Sequence, residues 1–426
     1  MNKNKKEDMR PFDMTRPPKR IPWYILPLMW GGSFVMTRAS HLKIKKVGVS
    51  EIKPPYLVIS THQGFSDYYI APLALYPYRA NYVSDMEGFA AFGYWLYRSI
   101  GCIGKRRYVS DVTVLQNMYK CIEAGDSVVL FPESRHANVG TTSKLPKNLG
   151  QLAKHFAKKY GIPLVILSAH GSYLTNPFWD EEHTRKGRME ATLEKLYTAD
   201  ELLNMDAEEV QSAIEKKLQY DEYAWQQENG IEFIGKNLAK GLEGPLYQCI
   251  SCGKKYAMIS KDDRIGCTSC RKVWKLSPRG FLYDTDGRKY QIPEWYEWER
   301  DNATSKIEPK RFKVRIEALP NEHGFVNLGE GRLVMNDISF TLHFKAKKKY
   351  NYIPKDWKIA KTEDGDEVRI EFPHEYRESL QTEYNYKGNG MAIVLSNQDA
   401  TYYIYSDDKH FNPTELQFIA EALTRC

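Results

Sequence analysis

At 426 residues, with 42% apolar and 27% charged side chains, the chain has the composition of a globular protein and the length of two or three domains. Its net charge of +7 sits at one end: residues 1–50 hold eleven Lys and Arg against Glu7, Asp8 and Asp13, a local +8, so the other 376 residues sum to −1. That distribution argues against a nucleic-acid partner and for an N-terminal segment that meets an anionic surface.

The start is charged and polar, without a secretory signal pattern, and four of seven cysteines form Cys-x-x-Cys pairs. A cytoplasmic, reducing location is expected. Between Arg20 and Arg38 lies an uncharged 17-residue run interrupted by Pro22, Pro27, Gly31 and Gly32. It is shorter than the roughly 20 residues of a membrane span. Trp23, Tyr24 and Trp30 favour the membrane–water interface, and the flanking cations favour anionic head groups. The expectation for residues 1–50 is therefore a basic, amphipathic segment lying in the plane of the inner face of the cell membrane. The alternative is a first helix packed on the core.

From Ile52 to Ala169, apolar runs alternate with helical patterns. Strands are predicted at Tyr56–Ser60, Asn81–Ser84, Ser127–Phe131 and Pro163–Ser168. Helices are predicted at Asp67–Tyr76, Glu87–Ile100, Val109–Glu123 and Lys147–Lys159. This alternation implies an α/β fold with a mostly parallel sheet, whose working residues lie at the carboxyl ends of strands. The domain is expected to span 51–240, with 186–230 all helical and free of chemistry. Asp206 with Glu209, and Thr198 with Glu201, are expected helix starts.

Residues 245–293 carry Cys249-x-x-Cys252 and Cys267-x-x-Cys270, separated by fourteen residues. This is zinc-ribbon spacing, and four thiolates close a structural Zn site. Glu294–Lys310 reads as a polar linker. Residues 311–426 hold short alternating strands with turn signals, then "NPTELQFIAEAL", where Asn412 caps and Pro413 starts a final helix. A mainly-β domain ending in one helix is predicted, in a pleckstrin-homology-like layout.

Three stretches carry candidate chemistry. In "STHQGFSDYY", Asp67 is placed to reach back across a strand-to-helix turn and orient His62 as a general base. Equally, Ser66 or Asp67 could only cap the helix. Lys105, Arg106 and Arg107 form a basic turn suited to a phosphate. Glu133 and Arg135, in "FPESRH", come after a buried strand and could orient an anionic acceptor. No "GxSxG" elbow is present.

In order, His-x-x-x-x-Asp, a Gly-containing basic turn, Phe-Pro-Glu-x-Arg and a Pro-led apolar strand resemble the four blocks of the glycerophospholipid acyltransferase superfamily, over about Ile52–Phe178. The resemblance implies an α/β acyltransferase core, with His62 and Asp67 catalytic and Lys105, Arg106, Arg107, Glu133 and Arg135 binding substrate. It implies acyl transfer from an acyl thioester, acyl-CoA or acyl-carrier protein, to a lysophospholipid hydroxyl such as that of lysophosphatidic acid. No redox cofactor is required. The third block departs from the usual Phe-Pro-Glu-Gly-Thr-Arg: Ser134 alone stands between Glu133 and Arg135. A non-catalytic lipid-binding scaffold of the same fold is the competing expectation.

Overall fold

The computed structural model describes residues 6–180, 182–346, 349–363, 365–375 and 377–424. The first layered unit runs α1 (Leu26–Arg38), β1 (Lys43–Val47), β2 (Leu57–Ser60), α2 (Asp67–Leu75), β3 (Ala80–Asp85), α3 (Met86–Phe92), α4 (Tyr94–Ser99), β4 (Cys102–Lys105), α5 (Val112–Glu123), β5 (Ser127–Leu130), α6 (Leu149–Tyr160), β6 (Leu164–His170), α7 (Ser172–Thr175) and β7 (Glu190–Tyr197). Helices α8 (Ala199–Asn204), α9 (Ala207–Leu218) and α10 (Glu222–Glu228) complete it. The seven strands order as β1-β7-β6-β2-β5-β3-β4, with only the β6–β7 pair antiparallel. Strand β2 is buried throughout and β5 and β6 nearly so, because helices cover both faces, which is why they read as unbroken apolar runs.

Three expectations for this unit need correction. Lys105 ends strand β4 rather than lying in a turn; glycines and cations hide that strand's apolar pair, Cys102 and Ile103. The helix expected over Glu87–Ile100 is two helices, broken at Gly93, whose φ of +92° no helix accommodates. Within 186–230, β7 replaces the expected helix: Ala191 and Leu193 face the core while charges alternate outward. The capping boxes Thr198/Glu201 and Asp206/Glu209 form as expected.

The cysteine module is an antiparallel sheet of β8 (Met258–Lys261), β9 (Arg264–Cys267), β10 (Val273–Leu276), β11 (Phe281–Tyr283) and β12 (Lys289–Gln291). The segment after β12, expected to be a linker, is instead helix α11 (Ile292–Thr304). Trp295 is fully buried and donates to Gln248 O (2.8 Å), and buried Glu299 accepts from Gln248 N (2.7 Å). A segment with three Glu, one Arg and one Asp thus still carries an apolar stripe.

The C-terminal unit has β13 (Lys310–Asn321), β14 (Gly324–Met335), β15 (Ser339–Ala346), β16 (Lys358–Thr362), β17 (Gly365–Pro373), β18 (Gln381–Glu383), β19 (Ala392–Ser396), β20 (Thr401–Tyr405) and α12 (Pro413–Leu423). They form one antiparallel sheet, β16-β17-β15-β14-β13-β20-β19-β18. Two meanders join through the β13–β20 pair and one helix closes them, which fits the pleckstrin-homology-like layout. Asn412 caps α12 by accepting from Thr414 N and Glu415 N.

The units share cores. One apolar cluster joins Val58 and Phe89 of the α/β layer to Leu319, Tyr403 and Val394 of the C-terminal sheet. The N-terminal segment divides. Residues 7–12 dock on the C-terminal unit, where Met9 is buried and Phe12 N donates to Pro320 O (3.0 Å), and residues 14–20 then run along the α/β unit, with Asn117 and Arg98 donating to the carbonyls of Met14 and Arg16. Helix α1 packs on α2, with Trp30 against Tyr76, and turns Leu28 (74% exposed) and Val35 (67%) outward. Among the described residues no helix is long and apolar enough to cross a membrane.

Candidate active site

The carboxyl end of β2 delivers His62 to the top of the sheet, and α2 begins at Asp67. Asp67 Oδ2 accepts from Gln63 N (2.6 Å) and Gly64 N (3.1 Å) and faces His62 Nδ1 at 3.3 Å. Neither Ser66 nor Asp67 caps α2; the Asp67 carboxylate instead closes the turn before the helix and faces the ring. Burial first, and then the Arg107 charge, push the His62 pKa down to about 3, so the imidazole is neutral. Burial raises Asp67 to about 6, the Ser172 hydroxyl and the Gly64 and Gln63 amides opposing it.

Glu133 does not reach the cavity. Its Oε1 accepts from the His62 main-chain N–H (2.9 Å), and its Oε2 from Ser143 N (2.8 Å) and the Tyr220 hydroxyl (3.0 Å). It is a fully buried bracket holding the His62 turn against the third-block loop, and burial raises its pKa to about 7. The shortened block places Ser134 at a φ of +57°, in the left-handed region where the usual sequence has glycine. Tyr108, after the basic turn, sits at +55°. Each of the two loops beside His62 thus holds one non-glycine residue in the left-handed region.

The five expected substrate-binding residues are not brought together. Lys105 and Arg107 share with His62, Ser134 and Asp85 a narrow cavity of about 40 Å³. Arg106 points away and spans the domain boundary, donating to the carbonyls of Gln398, Leu319, Pro320 and Asp399 and to the Thr401 hydroxyl. Arg135 also turns away, toward Glu421 of α12 (3.7 Å). Arg107 is bonded to Asp85 (2.8 Å), with Glu87 at 3.9 Å.

A second, larger cavity of about 250 Å³ opens on the other side of the His62 turn, lined by Gln63, Phe65, His136, Phe178 and Asp180. The His136 and His62 rings lie 4.4 Å apart. Sequence reasoning missed His136, Tyr220 and Glu222. Glu222, fully buried in α10, accepts from Gln63 Nε2 (3.1 Å) and faces His170 Nδ1 (2.8 Å). Only "ESRH" hinted at His136; Tyr220 and Glu222 lie in a stretch with no motif.

The four cysteines converge. All four sulfurs lie within 4.8 Å of one another, with Cys249–Cys270 at 3.7 Å and Cys252–Cys267 at 3.8 Å. Thiolates about 2.3 Å from one tetrahedral ion stand about 3.8 Å apart. The residues therefore fit a metal ion.

The family model described as Acyltransferase matches residues 41–168. No curated protein matches the chain. Among solved structures, the 1-acyl-sn-glycerophosphate (LPA) acyltransferase PlsC from Thermotoga maritima is similar, at 15% identity and a TM-score of 0.37, over 46% of this chain and 77% of that one. Residues 41–168 thus match the Acyltransferase family model and carry all four blocks in order, the part of the chain that is similar to the glycerophospholipid acyltransferases.

Proposed function

We propose that the protein is a peripheral membrane enzyme that moves a fatty acyl group from an acyl thioester, acyl-CoA or acyl-carrier protein, to the hydroxyl of a lysophospholipid. The observation that carries this reading is the His62–Asp67 pair between two cavities, one bearing Lys105 and Arg107 and the other lined by Gln63 and His136. Asp67 holds the Nδ1 proton, which leaves Nε2 to accept the proton of the acceptor hydroxyl. The alkoxide-like oxygen then attacks the thioester carbonyl, the C–S bond breaks, and the departing sulfur takes the proton from Nε2 to leave as a thiol. The ring is neutral and ready to act, its basicity lowered first by burial and then by the Arg107 charge. Helix α1 supplies the contact with an anionic bilayer on the cytoplasmic face. Zn²⁺ is the ion that suits four thiolates, and its role here is structural.

The diversion of Arg135 to Glu421 is the observation that favours a non-catalytic scaffold. Thiol release from acyl-CoA and acyl-carrier protein, with lysophospholipids in vesicles, separates the two. Wild type should transfer acyl groups, and His62→Ala should lose about 10²–10⁴-fold with an unchanged melting temperature. No thiol release from wild type with any donor and acceptor would favour the scaffold.

A further inference from the structure

The basic turn beside His62 is answered by carboxylates at every position. Arg107 is bonded to Asp85 and has Glu87 at 3.9 Å, and Glu383 lies within electrostatic range. Lys105 donates to Val109 O and has Asp111 and Glu378 within range. Arg106 is spent on the domain boundary, near Asp399 and Asp356. Arg135, the remaining cation expected here, faces Glu421. The cavity that holds His62 thus presents two cations, already balanced, with Asp85 itself in its wall.

The balance is built in by the C-terminal domain. The Tyr386 hydroxyl donates to Glu87 Oε1, and the Tyr403 hydroxyl to Glu87 Oε2 (2.9 Å). Two tyrosines from the β-sheet therefore fix a carboxylate against Arg107. Arg107 Nη1 is buried without a hydrogen-bond partner, which leaves one donor for an incoming group.

A terminal phosphate carries between one and two negative charges near neutral pH, since its second pKa is about 6. Moving a dianion from water into a balanced, buried site costs desolvation that no net positive charge repays. A phosphodiester carries a single charge and needs only one good donor. We propose that the acceptor is a lysophospholipid whose phosphate is a diester, not a terminal phosphate, and that Glu87, held by Tyr386 and Tyr403, sets this preference. The inference rests on the acyl-transfer reading and narrows its acceptor.

The test compares lysophosphatidic acid with lysophosphatidylglycerol, in the same neutral vesicles, for the full metal-loaded chain. Wild type should favour the diester by tenfold or more in kcat/KM. Glu87→Gln should move that ratio at least tenfold toward lysophosphatidic acid, through KM rather than kcat. Asp85→Asn is the second variant should Glu87→Gln melt early, with the same shift expected. Equal or better use of lysophosphatidic acid by wild type would overturn the proposal, as would an unmoved ratio in a folded variant. If no acceptor supports transfer, the proposed function falls, and calorimetry with glycerol 3-phosphate against a glycerol phosphodiester still decides this point. Tighter binding of the diester, reversed by Glu87→Gln, supports it; tighter binding of the monoester overturns it.

Discussion

His62 and Asp67 are five residues apart, so one strand-to-helix turn is enough to bring them together, and the pair was legible in the sequence. Their protonation was not, because burial sets it. Burial raises the Asp67 carboxyl above its ordinary value, so it is ionised above about pH 6 and takes up a proton as the pH falls through that value. His62, held near 3, stays neutral across the same range. The acid limb of kcat/KM should therefore fall at about pH 6 and report Asp67. Asp67→Asn should remove that limb and lower the plateau about 10²–10⁴-fold. A limb that persists in the variant would assign it to another group. Glu133 illustrates the limit of local reading: its bond to His62 N crosses 71 residues, and nothing near Glu133 announces a bracket in place of a ligand.

Helix α1 shows what periodicity settles and what it leaves open. The sequence implied a helix too short to span and rich in interfacial aromatics, and it also allowed a helix packed on the core. Both faces are used. Leu26, Ser33 and Thr37 pack inward, while Leu28 and Val35 stand in solvent. Burying one such side chain in an apolar phase is worth about 1.5–3 kcal/mol. Leu28→Asp should thus weaken binding to anionic vesicles about tenfold or more in co-sedimentation, without lowering the melting temperature. Equal vesicle binding by Leu28→Asp would place the membrane contact elsewhere. Strand β4 was missed because it is short and ends on a charge, which mimics a turn, and β7, eight residues long, because Glu190, Glu194 and Lys195 mimic a charged helix face.

At the scale of the whole molecule, Arg106 is the residue whose role the sequence concealed most. Flanked by Lys105 and Arg107, it looks like part of a phosphate cradle. In the fold it is buried and donates to five acceptors on β13, β20 and the loop before β20. Hydrogen bonds to a charged group contribute about 1.5–3 kcal/mol each, and Arg106→Ala strands several buried carbonyls. A loss of about 3 kcal/mol or more is expected in denaturant unfolding, far beyond the effect of Lys105→Ala. Similar losses for both variants would show that the domain boundary does not depend on Arg106.

The sequence by itself determined the α/β core, the His62–Asp67 turn, the four-cysteine cluster and the capped final helix, because each rests on a short period or a short spacing. Only the tertiary structure decided which of Lys105, Arg106, Arg107, Glu133 and Arg135 face His62. A strand terminus places alternate side chains on opposite sides, and the C-terminal sheet, some 200 to 300 residues onward in the chain, draws Arg106 to itself and aims Glu87 at Arg107. Such long-range pairing leaves no local pattern, so a basic triplet that reads as one site is divided between substrate and scaffold.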